Sequence, residues 1–351
     1  VRASFFFNGL NFSDICFRTD AILTDEGLKL VEVNVGTSIG GWQIQWMDES
    51  FRQFEGYRDF FDHHAVTCRN TPVTFFRFLI DSAAKVARGG KLNILVKVMQ
   101  GFDPAGYGDF LKQFIAQAVR ESGVDCEIGF FASYRELQIN HEGTFHLGRK
   151  VHLVTFGGVN GDQEPPLELL RSVLAGKIAC PDFPTYAVLS DKRCMALLHH
   201  AAQNGLLSER EAAFVRRYVP KTYVLGGPLY SSSVRDELLA NKDRYVIKQS
   251  NGMQGIDVYV GRFMPDQDWR GIIANLHNPQ MWIAQAYCES KKFYGHSGNS
   301  RDVFNFVWGV FQFGDRFGGS WIRMMQQAGK YDGVINSARG AQERIVYEAA
   351  R

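Results

Sequence analysis

Several familiar signatures are missing from this sequence, and each absence removes a class of function. The six cysteines, Cys16, Cys68, Cys126, Cys180, Cys194 and Cys288, form no CxxC pair. A zinc ribbon or thioredoxin-type site therefore has no support. The scatter reads instead as buried, reduced thiols of a cytoplasmic protein. No uninterrupted apolar run approaches the roughly 20 residues that span a bilayer, and no secretory leader pattern is expected. Neither sign of charge dominates: 39 Lys and Arg stand against 37 Asp and Glu, a net charge of +2. That balance gives no electrostatic reason to expect nucleic acid or a membrane as a partner. A GxGxxG run after an early strand is also lacking, which argues against a Rossmann-type oxidoreductase.

What is present suits a sizeable apolar core. Hydrophobic residues make up 45% of the 351 residues, enough for two or three lobes. Ile15 to Leu23 and Leu28 to Val35 read as a hairpin about the turn Thr24-Asp25-Glu26-Gly27. Side chains alternate between the faces of a strand, so Arg18 and Asp20 share one face of the first strand. Glu32 and Asn34 share one face of the second, while Val31, Val33 and Val35 take the other. Three oxygen-bearing side chains, Asp20, Glu32 and Asn34, can thus converge. Mg²⁺ prefers such hard oxygen ligands, few of them carboxylates, with phosphate and water oxygens completing the shell. A solvent-facing polar hairpin is the plainer reading. It is disfavoured because Glu-x-Asn ends an apolar run, where unpaired polar groups are costly. A small-residue loop, Gly36 to Gly41, follows.

Further along, strand patterns at Leu92–Met99, Cys126–Phe131, Leu137–Ile139 and Val151–Phe156 surround a helix pattern at Asp109–Ser122. This alternation predicts a Rossmann-like α/β lobe over residues 90–180. Helices are predicted at Leu167–Ala175, at Lys192–Asn204 and after the capping box Ser208-Glu209-Arg210-Glu211, with Pro220 as a stop. Arg244–Ser250, Gly255–Gly261, Trp282–Tyr287 and Val303–Phe313 are β-rich. The fold class is α/β, with α+β lobes.

Tyr245 to Val258 is a strand, a glycine-containing loop and a second strand. Its Gly252 and Gly255 let backbone N–H groups approach phosphate oxygens, and Lys248 supplies a cation at the strand end. A plain hairpin with a surface lysine has the same pattern. Trp282 to Tyr287 is either a strand whose backbone reads an adenine edge or an ordinary core strand. Lys192 opens a helix, where a solvated lysine is the usual occupant. The pairs His63-His64 and His199-His200 point apart on helix or strand, so they read as structural or solvent-facing rather than as metal ligands. Phe5-Phe6-Phe7 and Phe60-Phe61 read as core or interface.

In order along the chain, these pieces resemble the circularly permuted ATP-grasp family, which includes the ligase domain of glutathionylspermidine synthase. The resemblance rests on Arg18-Thr-Asp20, Leu30-Val-Glu32-Val-Asn34, Ser190-Asp-Lys192, Val246-Ile-Lys248 with its Gly252/Gly255 loop, Ile283-Ala-Gln285 and Gly318-Gly-Ser-Trp-Ile-Arg323. Arg217-Tyr-Val-Pro220-Lys-Thr222 adds to it. The carboxylates precede the nucleotide lysines, the order of the permuted branch. The resemblance implies an ATP-grasp fold with a Rossmann-like pre-ATP-grasp lobe. Residues 1–89 would carry the metal-ligand hairpin, and residues 181–351 the nucleotide-binding portion with its phosphate lid.

It further implies ATP and Mg²⁺ as cofactors, with Asp20, Glu32 and Asn34 holding the metal. Lys192 and Lys248 would contact the nucleotide, Gln249, Ser250, Gly252 and Gly255 would belong to the lid, and the Gln285, Ala286 and Tyr287 backbone would read adenine. Arg18 and Arg323 would be catalytic, neutralising an acyl phosphate and a tetrahedral intermediate. Two departures stand out: Gln249 replaces a proline common in the family, and Asp302–Phe313 lacks a second carboxylate pair.

The activity implied is a carboxylate–amine ligase acting on an amino acid or short peptide. Nothing resembles the amidase half of glutathionylspermidine synthase, so glutathione and spermidine are not implied. One alternative is transfer to a carrier-protein thiol. Another is a degenerate nucleotide-binding protein, whose mark would be loss of Asp20, Glu32 or Asn34; all three are present. Phe12–Arg18, Thr37–Gln43 and Lys291–Asn305 are expected to approach the small-molecule substrates.

Overall fold

The computed structural model describes residues 11–99, 101, 108–157, 164–297, 300–327 and 331–349. Phe5-Phe6-Phe7 and residues 298–299 of the expected substrate segment lie outside the described residues.

The early hairpin forms from Cys16–Thr24 and Gly27–Val35. Gly27 takes φ +107°, a conformation that favours glycine. The first strand also pairs with Ser300–Phe313, which pairs in turn with Arg316–Gln326, and that with Gln342–Ile345. Phe293–Ser297 joins the far half of Ser300–Phe313, completing a six-stranded sheet. In this register Asp20 faces Glu32 across the hairpin and Gly309 on its other side. The register shifts immediately after Asp20, a bulge of the kind that re-aims neighbouring side chains.

The helix Thr71–Ala84 backs this sheet. Asn70 caps it through Val73 N–H at 3.2 Å, and Pro72 occupies its first turn, where no N–H is needed. Its Phe75, Phe76, Phe78, Leu79 and Ile80 are all buried. They belong to one apolar cluster that runs from Phe311, Phe313 and Trp321 on the large sheet to Leu92, Ile94 and Leu153 beyond. Those last residues lie on a three-stranded parallel sheet, ordered Cys126–Phe131, Leu92–Lys97, Leu153–Val154. The helix Gly108–Ser122 connects its first two strands. The strand expected over Val151–Phe156 is only Leu153–Val154.

A second antiparallel sheet is ordered Thr222–Val224, Trp282–Ala286, Tyr245–Gln249, Val258–Val260. The helices Ser232–Ala240 and Asp266–Ala274 cover one face, with Leu238 and Trp269 against Tyr245, Ile247 and Ala284. Strand alternation sends Val246 and Lys248 to the other face. The Ser208/Glu211 capping box forms as expected and starts the helix Glu209–Tyr218. Val215 of that helix and Val219 just after it pack with Met195 against Val33, so this helical layer links the second sheet to the hairpin. Among the described residues no helix is long and apolar enough to cross a membrane.

Candidate active site

The hairpin and the second sheet bring most of the expected residues together. Asp20 is 6% exposed and lies under two guanidiniums. Arg18 Nε and Nη2 donate to its two carboxylate oxygens at 2.7 and 3.1 Å. Arg323 Nη2 stands 2.8 Å from Asp20 Oδ2, close enough for an ion pair but poorly aligned for a hydrogen bond. Burial pushes the Asp20 carboxyl pKa up, but the two arginines overcome this and hold it below the ordinary value. Asp20 is therefore an ionised acceptor at neutral pH.

Glu32 faces Asp20 across the hairpin, and Asn34 faces Arg18. The Asn34 amide is best satisfied with its oxygen 3.3 Å from Arg18 Nη2 and its nitrogen 3.3 Å from Glu32 Oε1. Lys192 is 5% exposed, not a solvated helix-end lysine. Its Nζ stands 3.2 Å from Glu32 Oε1 and donates to the Gly252 carbonyl at 2.8 Å. Lys248 is also buried and donates to Gln285 Oε1 at 2.8 Å. Burial lowers the Lys248 pKa and Lys192 adds to the lowering, while Glu32, Cys288 and Asp20 oppose it. The Lys192 ammonium, at the start of the helix Arg193–Gln203, and the Lys248 ammonium, from the second sheet, thus lie on the side of the hairpin carboxylates.

Gln285 meets this cluster through its side chain, with Nε2 3.2 Å from Thr222 Oγ1. The N–H groups of Ala286 and Tyr287 donate to the Lys221 and Arg244 carbonyls, each at 2.8 Å. Those two donors are therefore engaged within the protein.

The strand expected over Gly255–Gly261 begins only at Val258. Gln254, Gly255 and Asp257 hold φ of +58°, +72° and +54°, so the chain turns too sharply to pair earlier. Gln249 N–H donates to the Asp257 carbonyl at 3.2 Å, closing the loop. Ser250 is fully buried, and its hydroxyl has no partner among the described residues. Gly255 packs on Val334 so tightly that a Cβ would lie 2.8 Å from Val334 Cγ1.

Asp182 was not anticipated. Its carboxylate accepts from Thr37 N–H, from Thr37 Oγ1 at 2.5 Å and from Phe156 N–H at 2.8 Å. It thereby ties the loop after the hairpin to the end of the strand Leu153–Val154. Burial raises its pKa against the pull of these donors. The loop it anchors returns to the site, since Arg18 Nη1 donates to the Gly40 carbonyl at 2.7 Å. In the segment Lys291–Asn305, Lys292 Nζ donates to Asn305 Oδ1 at 3.0 Å. His199 is structural, its ring 3.0 Å from the Pro220 carbonyl.

Among the described residues no three His, Cys, Asp or Glu side chains gather as a metal site. The donor set at the hairpin is two carboxylates and an amide. It is all oxygen and low in carboxylates, which suits Mg²⁺ sharing phosphate oxygens rather than a protein-only cage.

No family model matches the sequence, and no curated protein matches it. Solved structures do match in fold. A glutathione synthetase-like effector from Globodera pallida, in its apo form, aligns with a TM-score of 0.58 at 11% identity, over 97% of this chain and 75% of that one. A putative gamma-glutamylcysteine synthetase from Methylobacillus flagellatus aligns with a TM-score of 0.51 at 10% identity, over 98% of this chain and 82% of that one. The protein thus has the mixed α/β fold of these synthetase-type proteins, and at such identities the likeness is one of fold.

Proposed function

We propose that the protein is an ATP- and Mg²⁺-dependent ligase of the circularly permuted ATP-grasp type, joining the carboxylate of an amino acid or short peptide to an amine through an acyl phosphate. The observation that carries this reading is the meeting of Lys192 with Glu32 at 3.2 Å, beside Lys248, Asp20 and Asn34. Cations from a helix start and a glycine-loop sheet, with oxygen ligands from a separate hairpin, are what a metal–triphosphate complex needs on its two sides. The synthetase-type neighbours agree with it in fold.

In this reading Asp20, Glu32 and Asn34 would hold Mg²⁺, which would supply neutralisation of phosphate charge. Lys192 and Lys248 take phosphate oxygens. An anionic phosphate beside Lys248 offsets the burial that lowers its pKa. A carboxylate is a poor acylating agent because oxide is its leaving group. The substrate carboxylate oxygen takes the γ-phosphoryl group and ADP leaves; the amine nitrogen then attacks the carbonyl, its extra proton passes to the departing phosphate, and phosphate leaves. Neither step needs a protein nucleophile, only positioning and charge neutralisation.

The two arginines divide their work. Arg18 commits its donors to Asp20 and Gly40 and so orients the ligand carboxylate. Arg323 is 5% exposed, and its Nε has no acceptor among the described residues. It is the guanidinium available to a developing oxyanion. The loop Gln249–Gly255 covers the phosphates and keeps water from the acyl phosphate.

The test is nucleotide release from Mg-ATP with pools of amino acids, amines and carrier-protein thiols, using Glu32→Ala as control. ADP and phosphate formed only with a particular acid and acceptor, and lost in E32A, support the reading and identify the substrates. AMP and pyrophosphate mean adenylation and sink it. A thiol acceptor moves the product to a thioester.

A further inference from the structure

Trp321 lies two residues before Arg323 on Arg316–Gln326, so both side chains emerge on the same face of that strand. Its indole reaches two guanidiniums. Arg18 Cζ is 5.6 Å from the ring centroid and Arg323 Cζ is 5.2 Å from it. The ring is 3% exposed, and a cation held over an aromatic face is attracted most strongly where water is excluded.

Two glycines make the space for that ring. A Cβ on Gly41 would fall 2.3 Å from Trp321 Cε2, and one on Gly309 would fall 1.9 Å from Trp321 Nε1. Gly309 is also the strand partner of Asp20, and its Cβ would stand 3.0 Å from Arg18 Cδ. The indole N–H meanwhile has no acceptor among the described residues. A buried unmet donor is unfavourable, and a phenyl ring would avoid it. Indole is, however, the better aromatic face for a cation.

We propose that Trp321 is a positioning residue for the arginine pair. It stacks both guanidiniums so that Arg18 stays on Asp20 while the open donors of Arg323 keep a fixed aim. This rests on the ligase reading, in which Arg323 meets the developing oxyanion. Donors stabilise such charge best when they need not move as it forms. Without the ring, the single Asp20 carboxylate and the Gly40 carbonyl are left to hold two mutually repelling cations.

The experiment uses the full chain with Trp321→Phe, Trp321→Leu and Gly309→Ala. Three quantities are read: arginine Nε–H signals by NMR, assigned with Arg18→Lys and Arg323→Lys; Mg-ATP affinity by calorimetry; and kcat for acid-dependent ADP release. In wild type both arginine signals are displaced by the indole ring current. W321L loses the displacement, keeps its Mg-ATP affinity and drops kcat by about 100-fold, the scale of removing one oxyanion donor. W321F, still presenting a ring face, loses less than about tenfold. G309A pushes the ring aside and also crowds Arg18 Cδ, so if W321L fails to fold it carries the test through the Arg323 signal, which then loses its displacement.

Unchanged kcat in W321L and G309A overturns the proposal. So do undisplaced arginine signals in wild type, or loss of Mg-ATP affinity in W321F and W321L alike. Displaced signals that W321L abolishes, in a wild type that releases no ADP with any acid, uphold arginine positioning and overturn the ligase reading instead.

Discussion

Lys192 Nζ stands 3.2 Å from Glu32 Oε1, and this contact joins the start of the helix Arg193–Gln203 to the early hairpin. The two residues are 160 positions apart in the chain, so the pairing exists only in the fold. Lys192 also donates to the Gly252 carbonyl, which brings the glycine loop to the same point.

Glu32→Gln keeps the size of the side chain and removes its charge. The Lys192 ammonium, 5% exposed, then lacks its counter-charge. Glu32 itself is 26% exposed, so the loss falls below that of a fully buried pair: about 1–3 kcal/mol. Denaturant unfolding measures it. In the proposed reading Mg-ATP also ceases to raise the melting temperature of E32Q. A Mg-ATP shift equal to that of wild type removes Glu32 from the metal site.

Asp182→Asn tests the anchor of the loop after the hairpin. The amide turns an NH₂ toward N–H and O–H donors that the carboxylate accepts, leaving at least one buried donor unmet. The cost is about 1–3 kcal/mol at neutral pH. The pH dependence has a definite sign. The folded-state pKa is raised, so between the ordinary aspartate value and the raised one the folded state binds more protons. Wild type therefore gains stability from this group as pH falls through that window, and loses it as pH rises. D182N has no such slope, so the gap between the two proteins widens on acidification. A gap that narrows contradicts the assignment.

What was legible in the sequence follows from period and spacing. Strand alternation alone put Arg18 with Asp20 and Glu32 with Asn34, and the register pairs the residues across the hairpin accordingly. The strand–loop–strand around Lys248 was legible from its glycines. Its second strand was overextended, because positive φ at Gln254 leaves no local trace and at Asp257 only a weak one. Lys192 looked solvated because burial by Glu32 and Gly252 comes from distant segments. The hold of Arg323 on Asp20, and of Asp182 on Thr37, likewise joins residues with no periodic relation. Trp321 stood in a recognised stretch, but its role depends on Gly41 and Gly309, which only the sheet brings beneath it.

Lys248→Met addresses the buried lysine. Its pKa is lowered, chiefly by burial and then by Lys192, against the pull of Glu32, Cys288 and Asp20. Between the lowered value and the ordinary lysine value, the unfolded chain binds the proton that the folded protein has released. Wild-type stability from this group therefore rises with pH across that alkaline window. K248M removes that rise. Thermal unfolding of both proteins from neutral to alkaline pH gives the comparison. An unchanged slope in K248M assigns the titration elsewhere. Calorimetry on the same variant is expected to show loss of Mg-ATP binding.

Gly255→Ala and Gly252→Ala separate backbone strain from simple loss of glycine. Gly255 holds φ +72°, and its Cβ would press into Val334 Cγ1 at 2.8 Å. Gly252 has no positive φ, and its nearest Cβ contact is the Ile256 carbonyl at 3.2 Å. An alanine in the left-handed region costs about 1–2 kcal/mol. The loop escapes that cost in G255A by lifting away from Val334, at little expense to global stability. If the loop covers the phosphates, lifting it weakens Mg-ATP binding by about tenfold, a loss of about 1.4 kcal/mol. G252A, which needs only a small adjustment, is expected to bind nearly as wild type does. Calorimetric affinities for the two variants decide the matter. Equal losses mean that the loop needs glycine for close approach to the nucleotide at both positions. A loss confined to G255A means that the left-handed turn against Val334 is what holds the loop closed.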